Sequence, residues 1–118
     1  MYLEELREYC LNKKGVEECL PFGNDTLVFK VMGKLFLLTG IESQHVQFNV
    51  KCDPEKAIEL RANFRAIIPA FHMNKSHWNT VRFNEDVSDH LVLEMVNDSY
   101  NLVIAKLPKK LIIELNLY

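Results

Sequence analysis

Apolar positions along the chain of 118 residues recur with two periods, and the switches between them mark the elements. Tyr2, Leu3, Leu6, Tyr9 and Cys10 fall three or four apart with Glu4, Glu5, Arg7 and Glu8 between them, predicting a helix over about 2–13. Lys13 and Lys14 suit its negative end, and Gly15 its left-handed cap. Val16 to Phe22 reads as a strand whose end Pro21 demotes to an edge or a bulge. Thr26–Val31 and Lys34–Thr39 flank Met32-Gly33 and read as a hairpin. Leu35-Phe36-Leu37-Leu38 is continuously apolar, which predicts a central strand covered in part on both faces. Val46, Phe48 and Val50 alternate with Gln47, Asn49 and Lys51, the mark of a strand with one wet face.

Asp53-Pro54-Glu55 combines an N-cap acceptor, a proline at the first helical position and an early acid. The predicted helix buries Ala57, Leu60, Phe64 and Ile67 and ends before Pro69. Next, Phe71, Met73, Trp78 and Val81 surround a polar centre, Asn74-Lys75-Ser76, predicting two short strands joined at a tip. Asn84 to Ser88 is a polar loop with Ser88 as N-cap, and Val92, Val96, Tyr100, Val103 and Leu107 then recur at helical spacing. Lys109 to Tyr118 fits a short helix or a strand. The order α-β-β-β(-β)-α-β-β-α predicts an α+β two-layer sandwich, an antiparallel sheet with helices on one face. No repeat or linker interrupts it, so residues 1–118 are expected to form a single domain.

Charge adds an asymmetry to this plan. The net charge is −2, yet residues 51–82 carry six basic and three acidic side chains, the only basic third of the chain. No apolar run approaches the roughly 20 residues that span a bilayer, and no association with a membrane is expected. The N-terminus lacks a signal-peptide pattern, and Cys10, Cys19 and Cys52 show no paired spacing. A cytoplasmic setting is expected.

Lys75 at the hairpin tip, with Arg61 and Arg65 on the preceding helix, could contact phosphates or could belong to solvated helix faces. Lys34 marks a second basic tip, and two such tips would grip a duplex as wings do. Trp78 could stack on a base or pin the hairpin to the sheet. His72 and His77 could begin a metal site, but no third ligand is evident nearby, so no metal is expected. No nucleophile, base and acid converge and no glycine-rich phosphate loop exists; the expectation is a protein that is not an enzyme and needs no cofactor.

The run Ile68-Pro-Ala-Phe-His-Met-Asn-Lys-Ser-His-Trp-Asn-Thr-Val81 closely resembles the signature of the MmcQ/YjbR family. Lys51-Cys52-Asp53-Pro54-Glu55 with Leu60-Arg61, Ser99-Tyr100-Asn101-Leu102-Val103 and Lys106-Leu107-Pro108-Lys109-Lys110 resemble further family blocks in the same order. The resemblance implies a small bacterial domain with a fold like that of type III secretion chaperones. It also implies a DNA-binding role through a double wing of hairpins; joined to the charge reading above, the first expectation is that the hairpin tips (Lys34, Lys75) and a basic helix face (Arg61, Arg65) meet the phosphates of double-stranded DNA. His72, Asn74, Lys75, His77 and Trp78 match the motif and imply a shared site, with His72, Asn74, His77 and Trp78 as its ligand or partner contacts. The competing expectation is a protein, peptide or small-ligand partner held in a groove beside Trp78, without nucleic acid.

Overall fold

A computed structural model describes residues 1–41 and 47–118, and it carries four helices and six strands among them. In chain order these are α1 (Leu3–Leu11), β1 (Val16–Cys19), β2 (Thr26–Val31), β3 (Lys34–Gly40), β4 (Gln47–Lys51), α2 (Pro54–Asn63), β5 (Ile67–Pro69), β6 (Trp78–Arg82), α3 (Asp89–Ala105) and α4 (Lys109–Leu115). The strands form one antiparallel sheet in the order β1-β2-β3-β4-β6-β5, so β3 lies inside it as its apolar run requires. The predicted strand residue Val46 lies outside the described residues.

All four helices contribute side chains to one core on a single face of the sheet. Leu6 and Cys10 of α1, Ala57 and Leu60 of α2, Val92, Val96 and Val103 of α3, and Leu115 of α4 meet Phe29, Leu37, Phe48, Val50 and Val81. The helix starts follow the local chemistry. Asp53 accepts the Lys56 N–H at 3.3 Å with Pro54 at the first helical position, and Ser88 Oγ accepts the Leu91 N–H at 3.1 Å.

Between α2 and β6 two boundaries differ from the sequence expectation. Helix α2 stops at Asn63, since Phe64 takes an extended conformation, and Ile67 is buried from a strand instead of a helical stripe. The hairpin that ends in β6 begins at Ile67–Pro69, earlier than Phe71, because its ladder pairs Ile67, Ile68 and Pro69 with Val81, Thr80 and Asn79. Phe71, His72 and Met73 are therefore loop residues. The C-terminal segment resolves as the helix of its two readings, α4.

The central strands carry one irregularity. Phe29 pairs with Leu37 but Lys30 pairs with Leu35, so Phe36 is an extra residue in β3. The bulge turns Phe36 into the helix layer beside Leu37, and its ring meets Tyr100 edge-on at 5.5 Å. The β3–β4 ladder ends at Leu37 and Val50. Beyond that point Ser99 of α3, fully buried, takes over: its hydroxyl accepts the Lys51 N–H at 2.8 Å and donates to the Phe36 carbonyl at 2.5 Å. One side chain thus satisfies two backbone groups that the bulge leaves without each other.

Ser99→Ala removes that bridge while keeping helix propensity. It is expected to lower unfolding free energy by about 2 kcal/mol, the cost of unpaired buried backbone groups, measurable by urea denaturation.

Candidate functional site

Antiparallel registry decides which connections share an end of the sheet. Val31 pairs with Lys34, Val16 with Val31, Lys51 with Trp78 and Pro69 with Asn79. The α1–β1 turn, the Met32-Gly33 tip, the β4–α2 junction and the 70–77 loop therefore emerge at one end. Helix α3 climbs toward the same end, since Ser99 already sits beside Lys51 and the Tyr100 hydroxyl donates to the Lys14 carbonyl at 2.6 Å. Its C-terminus and the start of α4 lie there too. Helix α4 returns to the α1–β1 turn, where a Cβ on Gly15 would come within 2.6 Å of Leu115. Gly15 has φ +73°, so the turn needs glycine for both conformation and space.

Lysines gather at this end from segments far apart in sequence. Lys14, Lys34, Lys75, Lys106, Lys109 and Lys110 are exposed there, and none of them joins a salt bridge among the described residues. Lys13 and Lys51 are half-buried beside them. Burial chiefly, and secondarily the nearby Lys106 ammonium, pushes the Lys51 amine below its ordinary value. The acids at this end include Glu17, Asp53, Glu55, Asp98 and Glu114. A surface depression of about 470 Å³ opens between Lys13, Lys14, Met32 and Tyr118.

The opposite end is acidic. The N-terminal amine donates to Asn84 at 2.8 Å, which places the first turn of α1, with Glu4 and Glu5, near Glu85, Asp86 and Asp89. Asp25 sits there as well, its carbonyl accepting the Ile41 N–H at 2.8 Å. A net charge of −2 thus conceals a molecule with a basic and an acidic pole.

The four cations expected to face phosphates divide on this map. Lys34 and Lys75 share the basic end, roughly 10–14 Å apart by two to three strand spacings. Arg61 is committed internally, donating to the Lys75 carbonyl at 3.1 Å and to Asn79 Oδ1 at 2.8 Å. Arg65 follows the end of α2 and lies at the acidic end, where Asp86 accepts its N–H at 2.7 Å. The basic helix face therefore does not exist as one surface, because α2 ends before Arg65. Lys56, the remaining helix cation, is held by Asp98 at 2.7 Å and Glu94 at 3.7 Å.

The motif residues also separate. Asn74 organises its loop: its carbonyl accepts from His77 and Trp78 N–H groups, and its side chain accepts the Ser76 N–H at 3.0 Å. His77 is half-buried, and its carbonyl accepts the Cys52 N–H at 2.7 Å; His72 is exposed. Trp78 is half-buried on the helix-free face, opposite Lys51 in the ladder. Sequence reasoning did not single out Asn79, which is 1 % exposed, accepts from Arg61 through its side-chain oxygen and has no partner for its amide nitrogen among the described residues. Among the described residues no three His, Cys, Asp or Glu side chains gather closely enough to hold a metal ion. Cys10 and Cys52 are buried, and burial pushes the Cys10 thiol up to about 12.

Comparisons with known proteins agree with this architecture. The sequence profile of the YjbR family matches residues 11–102. Protein YbdF of Escherichia coli O157:H7 is 40 % identical over 108 residues, covering 91 % of this chain and 88 % of its own. Protein YjbR of Escherichia coli K12 is 30 % identical over 118 residues, covering 98 % and 100 %. A crystal structure of a Deinococcus radiodurans protein with the DUF419 domain aligns with a TM-score of 0.89 at 37 % identity, over 97 % of this chain and 87 % of that one. A Pseudomonas syringae protein aligns with a TM-score of 0.73 at 27 % identity, over 86 % and 98 %.

Two substitutions test the local architecture. Arg61→Ala leaves the buried Asn79 oxygen unpaired and releases the loop, with an expected loss of about 1–3 kcal/mol in urea denaturation. It should also speed amide exchange at Ser76 and His77. Asp86 has its pKa lowered, first by the Arg65 N–H, against opposing desolvation, and further by the Ala66 N–H. Its folded pKa lies below its unfolded value, so its contribution is present above the ordinary aspartate range and lost as pH falls through the folded pKa. Asp86→Asn should therefore flatten the acid limb of a stability–pH curve without changing its alkaline limb.

Proposed function

From the premise that this chain belongs to the YjbR family, and from its charge map, we propose that it binds DNA with its lysine-bearing end. The observation that carries the reading is the convergence of six exposed lysines, none in a salt bridge among the described residues, on the end that also presents the Met32-Gly33 tip and the 70–77 loop. Phosphate contact needs mobile, hydrated cations on a protruding surface, and it needs the acids elsewhere. The first condition holds, and at this end the lysines outnumber the carboxylates of Glu17, Asp53, Glu55, Asp98 and Glu114, although the overall charge is negative. The two tips act as wings that straddle the backbone, and Lys106, Lys109 and Lys110 widen the footprint beyond what the hairpins alone supply. Their contacts read no sequence, so the affinity they give is general and salt-sensitive.

Titration of labelled duplex at several salt concentrations tests this. Affinity should fall by about 0.9 log unit per log of salt for each phosphate contacted, and Lys34→Glu and Lys75→Glu should each lower that slope by about one. Lys75→Glu should change stability by less than about 0.5 kcal/mol, as exposed positions do. Arg65→Glu, at the acidic end, should bind as the parent does. Absence of binding at tens of micromolar protein in low salt, or equal loss in all three variants, contradicts the reading.

A further inference from the structure

Phe71 opens the 70–77 loop and leaves 62 % of its surface in water. The loop around it is fixed rather than loose. Ala70 and Met73 donate to Trp78 and Ala70 carbonyls, His77 and Trp78 donate to Asn74, and Cys52 and Arg61 tie the loop to the β4–α2 junction and to α2. The fold therefore holds an apolar ring outward in a defined place, a position that burial of apolar surface would otherwise disfavour. The Lys75 ammonium stands 5.2 Å from its centroid, and Trp78, half-buried and paired with Lys51, presents a second ring at the same end.

We infer that Phe71 and Trp78 are stacking surfaces for unpaired nucleobases, so the lysine-bearing end prefers single-stranded nucleic acid to duplex; the inference rests on the nucleic-acid reading above. Lysines alone would take either form, because both offer phosphates. A duplex keeps its base faces closed within the stack, whereas a single strand offers them, and every base has a face to stack. Rings interleaved with ammonium groups on a rigid loop match that pattern of alternating aromatic plane and negative phosphate. Phe71 supplies the outer platform, Trp78 the inner one, and Lys75 and Lys51 neutralise the phosphates that flank the stacked bases.

The experiment compares an oligothymidylate of about 20 nucleotides, a duplex of the same length and an acidic polyglutamate peptide at one ionic strength. The expected result is tighter binding of oligothymidylate than of duplex, with quenching of the emission of Trp78, the single tryptophan of the chain. Phe71→Ala should weaken oligothymidylate roughly tenfold, leave its salt slope unchanged and leave duplex affinity within about twofold. An unchanged thermal transition confirms that this exposed substitution folds. Duplex binding as tight as single strand, or no effect of Phe71→Ala on oligothymidylate, overturns the stacking inference and leaves the DNA reading intact. Phe71-dependent binding of polyglutamate without binding of oligothymidylate overturns it in favour of an acidic protein partner. Failure of both nucleic acids to bind removes the inference together with the function it rests on.

Discussion

Antiparallel pairing sends alternate connections of a meandering sheet to the same end, and the functional reading of this domain depends on that constraint. The α1–β1 turn, the β2–β3 tip, the β4–α2 junction and the β5–β6 loop have no choice about sharing an end once the registers are set. Helix α3 crosses the sheet in the same sense, so Lys106 at its C-cap and Lys109 and Lys110 at the start of α4 arrive there as well. Charge separation follows from topology: the starts of α1 and α3 and the 84–89 loop bring acids to one end, while turns, the residue that ends α3 and the first turn of α4 bring lysines to the other. Helix dipoles favour the same arrangement, with α1 and α3 both beginning at the acidic pole.

The bulge at Phe36 and the Ser99 hydroxyl keep α3 in that position. Without an extra residue in β3, Phe36 would face away from the helices and the Tyr100 contact would be lost. With it, the β3–β4 ladder opens one pair early and a buried hydroxyl must bridge the gap. The bridge anchors α3 along its axis, which fixes how far beyond the sheet Lys106, Lys109 and Lys110 extend. Core packing and the reach of the basic end are thus coupled through one side chain.

Much of the fold was legible in local chemistry. Asp53-Pro54 and Ser88 start helices where their side chains can accept orphan N–H groups, and Met32-Gly33 turns the hairpin between two apolar runs. The same rules misplaced the first strand of the last hairpin. Phe71 and Met73 are apolar, but the strand they suggested is only three residues long and earlier, and nothing local distinguishes an apolar loop residue held outward from a strand residue held inward. The site was the least legible part. Summing charge over the middle third joined Arg65 to Lys75, although the end of α2 and the short β5 carry them to opposite poles. The lysines that do converge come from residues 14, 34, 75 and 106–110, and only the registry of the sheet brings them together. Asn79 stood inside the signature run but was not singled out, because nothing local shows that this amide is buried; its partner, Arg61, comes from a helix eighteen residues earlier.

Mapping of backbone amide shifts in the isotope-labelled protein during titration with DNA at low salt reads out which end of the sheet meets the nucleic acid. The account predicts shifts confined to the residues around Lys14, Lys34, Ala70–Trp78 and Lys106–Lys110, with none at Asp25 or Asn84–Asp89. Shifts centred on the acidic pole, or none anywhere at saturating DNA, would contradict it.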